Sequence, residues 1–291
     1  MGARDPHLEP AVPAAALDAR EYAFDERDFA RVRDLIYRRA GISLNQNKQN
    51  MVYSRLSRRL RAHGMIGFAD YLDRLESDAG FAAVENQEFI NALTTNLTSF
   101  FREAHHFPVL EEFLRAARQP PKVWCAAAST GEEPWCIAMT MVEAAGARPP
   151  GSLLATDIDT SVLRTAGLAS YKLEAAQACG EARLRRFFLR GRGANEGLVR
   201  VRPELARLAR FGQLNLLDAD WPLLRGFGAP VDAVFCRNVM IYFDRKTQKE
   251  ILGRIADVLR PGGLLFVGHS ENFTDCHQAL ALRGKTVYER T

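Results

Sequence analysis

Two hydrophobic periodicities divide the chain into a helical part and a mixed part. Between residues 21 and 95, apolar positions recur three and four residues apart, which is the spacing of amphipathic helices. The predicted helices lie between a cap at Asp25 and a stop at Gly41, and over residues 46–64, 67–80 and 81–95. We therefore expect a small helical domain over residues 21–95, preceded by a flexible Ala- and Pro-rich tail over residues 1–20.

After residue 96, short apolar runs alternate with helical segments. The predicted strands are Val123–Ala126, Leu153–Thr156, Ala233–Cys236 and Leu264–Val267, and the helices between them are Glu132–Ala145, Thr160–Ala169 and Asp244–Leu259. This alternation is typical of an α/β domain whose mostly parallel sheet is covered by helices on both faces. Ligands of such sheets bind at the carboxyl ends of the strands. We assign this domain to residues 96–291.

One segment breaks the alternation. It contains three glycines and the strictly alternating run Leu198–Arg202, which predicts a half-exposed strand. We therefore expect a small antiparallel β-subdomain inserted over about residues 172–213.

Composition narrows the class of protein. Hydrophobic residues make up 47% and charged residues 25% of the 291, as in an ordinary soluble globular protein. No apolar run approaches the roughly 20 residues of a membrane span, and no secretory leader is recognisable. The five cysteines form no C-x-x-C pair, so we expect reduced thiols and a cytoplasmic location.

Positive charge is concentrated in the first half of the helical part. The window from Arg31 to Arg61 holds nine basic residues and one acid, so it carries +8 while the whole chain carries only +4. The modest total argues against nucleic-acid binding. The local excess predicts attraction to an acidic partner that weakens with salt.

Two segments after predicted strands carry candidate chemistry. The turn Ala126–Gly131 has small side chains that let a ligand approach the backbone, and Glu132 and Glu133 follow it. These acids would repel a pyrophosphate and favour a ligand with a cationic or amino group. An ordinary tight turn between a strand and a helix is the alternative interpretation of this segment. Asp157 ends the second strand, where an acid commonly accepts ribose hydroxyls, and Asp159 is the better helix cap. For such an acid, capping alone is the alternative.

Two further polar groups lie at the junction and after the third predicted strand. Arg237, Asn238 and Tyr242 follow the strand Ala233–Cys236, where a parallel sheet presents functional groups; packing is the alternative for Tyr242. Asn96, Thr98 and Arg102 lie in the segment between the two domains, which is the pattern of a linker that covers a pocket. A capped interdomain turn is the alternative interpretation. His105 and His106 have no partners at metal-ligand spacing, so we expect no metal site.

Together these motifs resemble the chemotaxis receptor methyltransferases, the CheR family. The resemblance is carried by residues 94–103 (TTNLTSFFRE), 126–134 (AAASTGEEP), 237–243 (RNVMIYF) and 268–273 (GHSENF), in the family's order. It implies an N-terminal all-α domain followed by a Rossmann-like, S-adenosylmethionine-dependent methyltransferase domain with an inserted antiparallel β-subdomain.

The resemblance also implies a set of site residues. The implied cofactor contacts are Asn96, Thr98, Arg102, Glu133, Asp157, Asn215, Leu216, Arg237 and Asn238. Glu132 remains an alternative to Glu133. Asp157 would hold the ribose, and Asn215 and Leu216 would lie beside the adenine. Arg102 and Tyr242 would steady the substrate as catalytic residues.

The implied reaction moves a methyl group from S-adenosyl-L-methionine to glutamate side chains of chemoreceptors, giving γ-methyl esters and S-adenosyl-L-homocysteine. A glutamate is ionised at neutral pH, so its carboxylate needs no general base. The run Arg237–Met240 lacks the Asn/Asp-Pro-Pro-Tyr pattern of methyltransferases that act on bases, which argues against a nucleic-acid substrate. An RNA or small-molecule methyltransferase and a non-catalytic S-adenosylmethionine sensor remain alternatives.

Two surfaces are candidates for receptor binding by a monomeric enzyme. Arg55, Arg58 and Arg59 share an arc of about 100° on a predicted helix, and we hypothesise that they dock on the Glu-rich methylation helices; a solvated face is the alternative. The loop and strand over residues 191–202 resemble the family's subdomain that binds a receptor's C-terminal pentapeptide by strand addition.

Overall fold

The structure is a computed structural model that describes residues 20–273 and 277–291. The predicted tail, apart from residue 20, and Cys276 lie outside the described residues. The four described cysteines, Cys125, Cys136, Cys179 and Cys236, are buried free thiols.

The N-terminal part is helical, as the apolar spacing predicted. Its helices are α1 (Glu26–Ala40), α2 (Gln49–Ala62), α3 (Phe68–Ser77) and α4 (Ala79–Leu93). The side chain of Asp25 caps α1 by accepting hydrogen bonds from the N–H groups of Arg27 and Asp28. Asp78 caps α4 in the same way, so this helix begins two residues earlier than the apolar pattern predicted.

The C-terminal part is built on a mixed sheet with strand order β6-β2-β1-β7-β8-β10-β9. Its strands are β1 (Lys122–Cys125), β2 (Ser152–Asp157), β6 (Ala209–Gln213), β7 (Val231–Cys236), β8 (Leu259–Val267), β9 (Leu280–Gly284) and β10 (Val287–Arg290). The five strands from β6 to β8 are parallel, and β10 and β9 extend the sheet antiparallel.

Helices cover both faces of this sheet, as predicted. The helices of this part are α5 (His106–Arg115), α6 (Glu132–Ala145), α7 (Thr160–Leu168), α8 (Leu173–Ala176), α9 (Glu181–Phe187), α10 (Pro203–Ala206), α11 (Pro222–Phe227) and α12 (Arg245–Val258). Along β1, Val123 packs into the core under α5 and α6, whereas Trp124 packs into the core under α11 and α12. The strands are therefore apolar on both faces, which is why they read as continuous apolar runs.

A second, antiparallel sheet is inserted after α7. Its strands are β3 (Ser170–Lys172), β4 (Phe188–Arg190) and β5 (Leu198–Val201), in the order β3-β5-β4. Val199 and Val201 are buried and Arg200 is exposed, so the predicted half-exposed strand is confirmed. Residues 209–213, which the sequence placed in this insertion, instead form β6 and pair in parallel with β2 in the large sheet. The small sheet thus lies within the connection from β2 to β6.

The helical part packs over the carboxyl ends of the parallel strands. Gly41, which ends α1 at φ +68°, approaches the other part so closely that a Cβ there would lie 2.9 Å from Leu217 Cδ2. The N–H of Ser43 donates to the carbonyl of Tyr242 at 2.8 Å. No helix within the described ranges is both long and apolar enough to cross a bilayer.

Candidate active site

A cavity lies between the helical part and the carboxyl ends of β1, β2 and β7. Ten residues singled out from the sequence line it: Asn96, Thr98, Arg102, Glu133, Asp157, Asn215, Leu216, Arg237, Asn238 and Tyr242. They come from five separate stretches of chain. The loop after α1 adds lining residues that the sequence did not point to, among them Ser43, Leu44 and Lys48.

The turn between β1 and α6 is tied to the end of β2. The N–H of Ser129, a residue at φ +48°, donates to Asp157 Oδ2 at 2.8 Å, and the N–H of Asp159 donates to Asp157 Oδ1 at 3.0 Å. Burial raises the pKa of Asp157 to about 6, although these hydrogen bonds oppose the shift. Asp159 caps α7, as expected, and does not line the cavity.

A buried arginine joins two carboxylates at the end of β7. Arg237 Nη1 lies 2.6 Å from Glu133 Oε2, and Nη2 lies 3.3 Å from Glu103 Oε2. We call these three residues the Arg237 cluster. Nη2 also donates to the carbonyl of Arg102 at 2.6 Å, which links the cluster to the interdomain segment. Glu132 bonds instead to the hydroxyl of Thr130 and does not line the cavity, so Glu133 is the acid that faces it.

The two acids of the cluster have opposite pKa shifts. Burial raises the pKa of Glu133, and the charge of Arg237 only partly offsets this effect. Burial also disfavours the charged form of Glu103, but the hydrogen bond from His269 and the charge of Arg237 outweigh it and lower the pKa of Glu103 to about 2. Glu103 is therefore a carboxylate at every working pH.

A third acid, Glu271, shapes the loop after β7. Its carboxylate accepts hydrogen bonds from the N–H groups of Asn238 at 3.0 Å, Met240 at 2.9 Å and Gly268 at 2.5 Å. Neither Glu103 nor Glu271 was singled out as a site residue. Each lies in a motif that carried the resemblance, and Glu271 follows a predicted strand as Asp157 does, which was the available signal.

Several lining side chains are already engaged with the protein. The amide of Asn96 donates to Asp159, that of Asn215 to the carbonyl of Arg39, and that of Asn238 to Glu103. Within the described residues, the hydroxyls of Thr98 and Tyr242 have no hydrogen-bond partner. The asparagines thus hold the wall in place, and the two hydroxyls remain open for a ligand.

Comparisons with known proteins identify the family. The profile of the CheR methyltransferase all-alpha domain matches residues 27–94, and that of the CheR methyltransferase SAM binding domain matches residues 96–288. The chain belongs to the CheR methyltransferase family. The chemotaxis protein methyltransferase of Klebsiella aerogenes is 52% identical over 279 residues, covering 96% of this chain and 94% of that protein.

Two further relatives extend this similarity. The chemotaxis protein methyltransferase of Escherichia coli is 51% identical over 267 residues, covering 91% of each chain. Chemotaxis protein methyltransferase 2 of Pseudomonas aeruginosa is 48% identical over 282 residues, covering 96% of this chain and 98% of that protein. The predicted family and fold class are therefore confirmed, and the chain is a methyltransferase with an S-adenosylmethionine-binding domain.

The cavity has the hydrogen-bond acceptors and the apolar surface that S-adenosylmethionine requires. The carboxylate of Asp157 can accept hydrogen bonds from two ribose hydroxyls, and that of Glu133 can accept a hydrogen bond from the α-ammonium group. The apolar side chains of Ile158, Leu214 and Leu216 line the same wall as Asp157 and suit a flat purine. The small residues of the β1–α6 turn, including Ala127, leave the backbone accessible. These residues fit S-adenosylmethionine.

The basic face expected on α2 is largely paired inside the protein. Arg59 donates to the fully buried Glu85 at 2.8 and 2.6 Å, and Arg55 donates to the carbonyls of Thr94 and Ala92. Arg31, Arg38 and Arg61 also form ion pairs. The premise that all eight charges are uncompensated was wrong, because four of the nine basic residues in the window form ion pairs with acids outside it, most of them on α3 and α4. Among the described residues, Arg58 is exposed and has no ion-pair partner.

A group of three candidate metal ligands shares Glu103 with the Arg237 cluster. Glu103, His105 and His106 have ligand atoms within 4.8 Å of one another in the described part of the chain. Glu103 is already engaged by Arg237, Asn238 and His269, and a cation there would lie next to the guanidinium. We assign no metal to this group.

Proposed function

We propose that this CheR-family methyltransferase transfers the methyl group of S-adenosyl-L-methionine to glutamate side chains of chemoreceptors, producing γ-methyl esters and S-adenosyl-L-homocysteine. The observation that carries the proposal is the convergence of ten expected site residues on one cavity, in a chain about half identical to chemotaxis protein methyltransferases. The enzyme would act in the cytoplasm as a monomer.

The cofactor side of the cavity would bind S-adenosylmethionine and orient it. When bound, S-adenosylmethionine supplies a methyl group made electrophilic by a positively charged sulfur. Asp157 would accept the ribose hydroxyls and Glu133 the ammonium group, while Asn215 and Leu216 would flank the adenine. Asn96, Thr98, Arg237 and Asn238 would complete the wall, three of them through side chains that the protein already holds in place.

The substrate side would position a carboxylate without taking a proton from it. Glutamate has an unperturbed pKa of about 4.3, so the attacking oxygen is already ionised at neutral pH. No histidine is among the described residues that line the cavity. Arg102 would pair with the carboxylate and the hydroxyl of Tyr242 would donate to it, so their contribution is alignment.

Receptor docking is proposed for a narrower surface than the sequence indicated. Arg58 on α2 is exposed and, among the described residues, has no ion-pair partner. Lys48, which precedes α2 along the chain, lines the cavity. A Glu-rich receptor helix would be attracted to this surface, with stronger binding at low salt. Arg55 and Arg59 would act by fixing α2 against the rest of the helical part.

The small sheet is proposed as a tether for the receptor's C-terminal pentapeptide. Its edge strands β3 and β4 are short, and β4 exposes Leu189. Strand addition to such an edge would raise the effective concentration of the methylation helices near the cavity. Calorimetry with the peptide tests this contact by itself, and absence of binding removes it.

The proposed reaction is tested by incubating the enzyme and methyl-labelled S-adenosylmethionine with membranes that contain the chemoreceptors. Label on the receptor should be released as methanol in mild alkali, because esters hydrolyse there and methylated amines do not. Replacing Arg102 by Ala should reduce labelling, whereas replacing the remote exposed Arg118 by Ala should not. Alkali-stable label, label on RNA or no transfer at all would each contradict the proposal.

A further inference from the structure

Glu103 adds a second negative charge to the wall of the cofactor cavity without lining it. Its side chain is 10% exposed, against 1% for Arg237, and it reaches the cavity only through its contacts with Arg237 and Asn238. The guanidinium of Arg237 balances one carboxylate. With both carboxylates of the Arg237 cluster ionised, the cluster carries a net charge of −1.

The local backbone indicates that this arrangement is held at some cost. Glu103 has φ +52° and Asn238 has φ +57°, and both lie in the left-handed region that non-glycine residues rarely adopt. Their side chains meet at 3.2 Å, and His269 Nδ1 lies 2.9 Å from the same oxygen of Glu103. Such strain persists where the surrounding contacts fix it, and it concentrates at functional sites.

We propose that Glu103 is a positioning and charge-setting residue that strengthens binding of S-adenosylmethionine relative to S-adenosylhomocysteine. The methyl donor carries a sulfonium charge that the product lacks, while the rest of the two molecules is the same. An extra negative charge in a desolvated wall therefore favours the donor over the product. Glu133 and Arg237 alone form a neutral pair that makes no such distinction.

The inference rests on the proposed function only for the identity of donor and product. It is tested by equilibrium binding, which requires no receptor and no turnover. If the ester test fails while the binding ratio changes as described below, the proposed reaction is wrong and this inference stands. If the ratio is unaffected while esters form, the inference alone is wrong.

The test is calorimetric titration of the full chain with each of the two ligands at pH 8. Glu103→Gln keeps the shape and the acceptor oxygen but removes the charge. We expect the ratio of the two Kd values to move about three- to tenfold against S-adenosylmethionine, the size of one charge interaction across a partly buried site. Glu143→Gln, which breaks the ion pair with Arg183 elsewhere on α6, is the matched control and should leave the ratio unchanged.

A second pair of variants keeps the test decisive if Glu103→Gln does not fold. His269 is 68% exposed, so substitutions there spare the core. His269→Lys adds a positive charge beside Glu103 and should move the ratio in the same direction, whereas His269→Gln should not. Equal weakening of both ligands by Glu103→Gln, or an unchanged ratio in His269→Lys, would show a merely structural role and overturn the proposal.

Discussion

Charge reversal at two adjacent arginines on α2 should have two different effects: a loss of stability at Arg59 and a loss of receptor affinity at Arg58. Arg59 Nε and Nη2 donate to the two oxygens of Glu85, which is fully buried and also accepts from Tyr71 at 2.8 Å. His63 Nε2 lies 2.7 Å from the same carboxylate. Arg58 is exposed and, within the described residues, unpaired. The first arginine therefore holds the helical part together, and the second is free to meet a partner.

The structure sets the expected magnitudes. Arg59→Glu removes the guanidinium partner of the buried Glu85 carboxylate and places a second negative charge beside it. Breaking a buried ion pair in this way costs about 3–5 kcal/mol, a large share of the 5–15 kcal/mol that stabilises a typical protein. Arg58→Glu changes an exposed side chain and should alter the free energy of unfolding by no more than about 0.5 kcal/mol. Because it replaces an attraction by a repulsion, it should raise KM for the receptor about three- to tenfold at low salt.

The pH dependence of folding gives a second signature of the same contact. Despite its burial, Glu85 has a lowered pKa, because Arg59, Tyr71 and His63 hydrogen-bond to its charged form. A lowered carboxyl pKa contributes stability that is present above the unfolded value and is lost as pH falls through the folded value. The acid sensitivity that arises from this residue should be absent in Glu85→Gln.

Urea unfolding at pH 7 and at a pH below about 4, under the ordinary glutamate pKa of about 4.3, measures the stability effects. Receptor methylation kinetics at two salt concentrations measure the effect on docking. Unfolding of Arg59→Glu at the wild-type urea concentration would refute the stabilising role of this arginine. An unchanged KM for the receptor in Arg58→Glu at low salt would refute the docking role of Arg58. Affinity for the cofactor should be the same in Arg58→Glu and the wild type.

Asp157, Tyr171 and Gly41 give three further predictions about cofactor binding. The pKa of Asp157 is raised to about 6, and only its ionised form accepts hydrogen bonds from both ribose hydroxyls. Affinity for S-adenosylmethionine should therefore fall by up to about tenfold per pH unit below pH 6. Equal calorimetric Kd values at pH 5.5 and 8 would disprove this. The hydroxyl of Tyr171 donates to the carbonyl of Thr130 and accepts from Trp135 Nε1, which links the small sheet to the β1–α6 turn. Tyr171→Phe should therefore lower the free energy of unfolding in urea by about 1–3 kcal/mol and weaken cofactor binding. No change in either quantity would contradict this link. Gly41→Ala should weaken cofactor binding by displacing the helical part, and unaltered affinity would contradict the close packing found there.

The sequence was most informative where burial is continuous. β1, β2, β7 and β8 are apolar on both faces and appeared as uninterrupted runs, and α6 begins and ends where its pattern predicted. β6 was misplaced because it is an edge strand with only partly buried side chains. Its run Ala-Arg-Phe-Gly-Gln lacks the pattern of a central strand, and its pairing with β2 becomes evident only in three dimensions.

Electrostatic partners were least predictable, because they lie far apart along the chain. Arg59 and Glu85 are 26 residues apart, and Arg31 and Glu76 are 45 apart. A count over a short window treats such pairs as uncompensated charge. The lining residues that came from the α1–α2 loop were missed for a related reason, since nothing local marks a loop that packs against another part of the chain.

The central claim is that an already ionised carboxylate attacks the methyl group without a proton acceptor. The most direct measurement is kcat for receptor methylation at saturating cofactor from pH 6.5 to 9. Among the described cavity residues, burial raises the pKa of Asp157 to about 6 and also raises the pKa of Glu133, and the positive charges of the bound cofactor would lower both. We therefore predict a constant kcat over this range. A tenfold rise per pH unit up to a plateau would mean that a proton must first be removed from the nucleophile, and it would contradict the account.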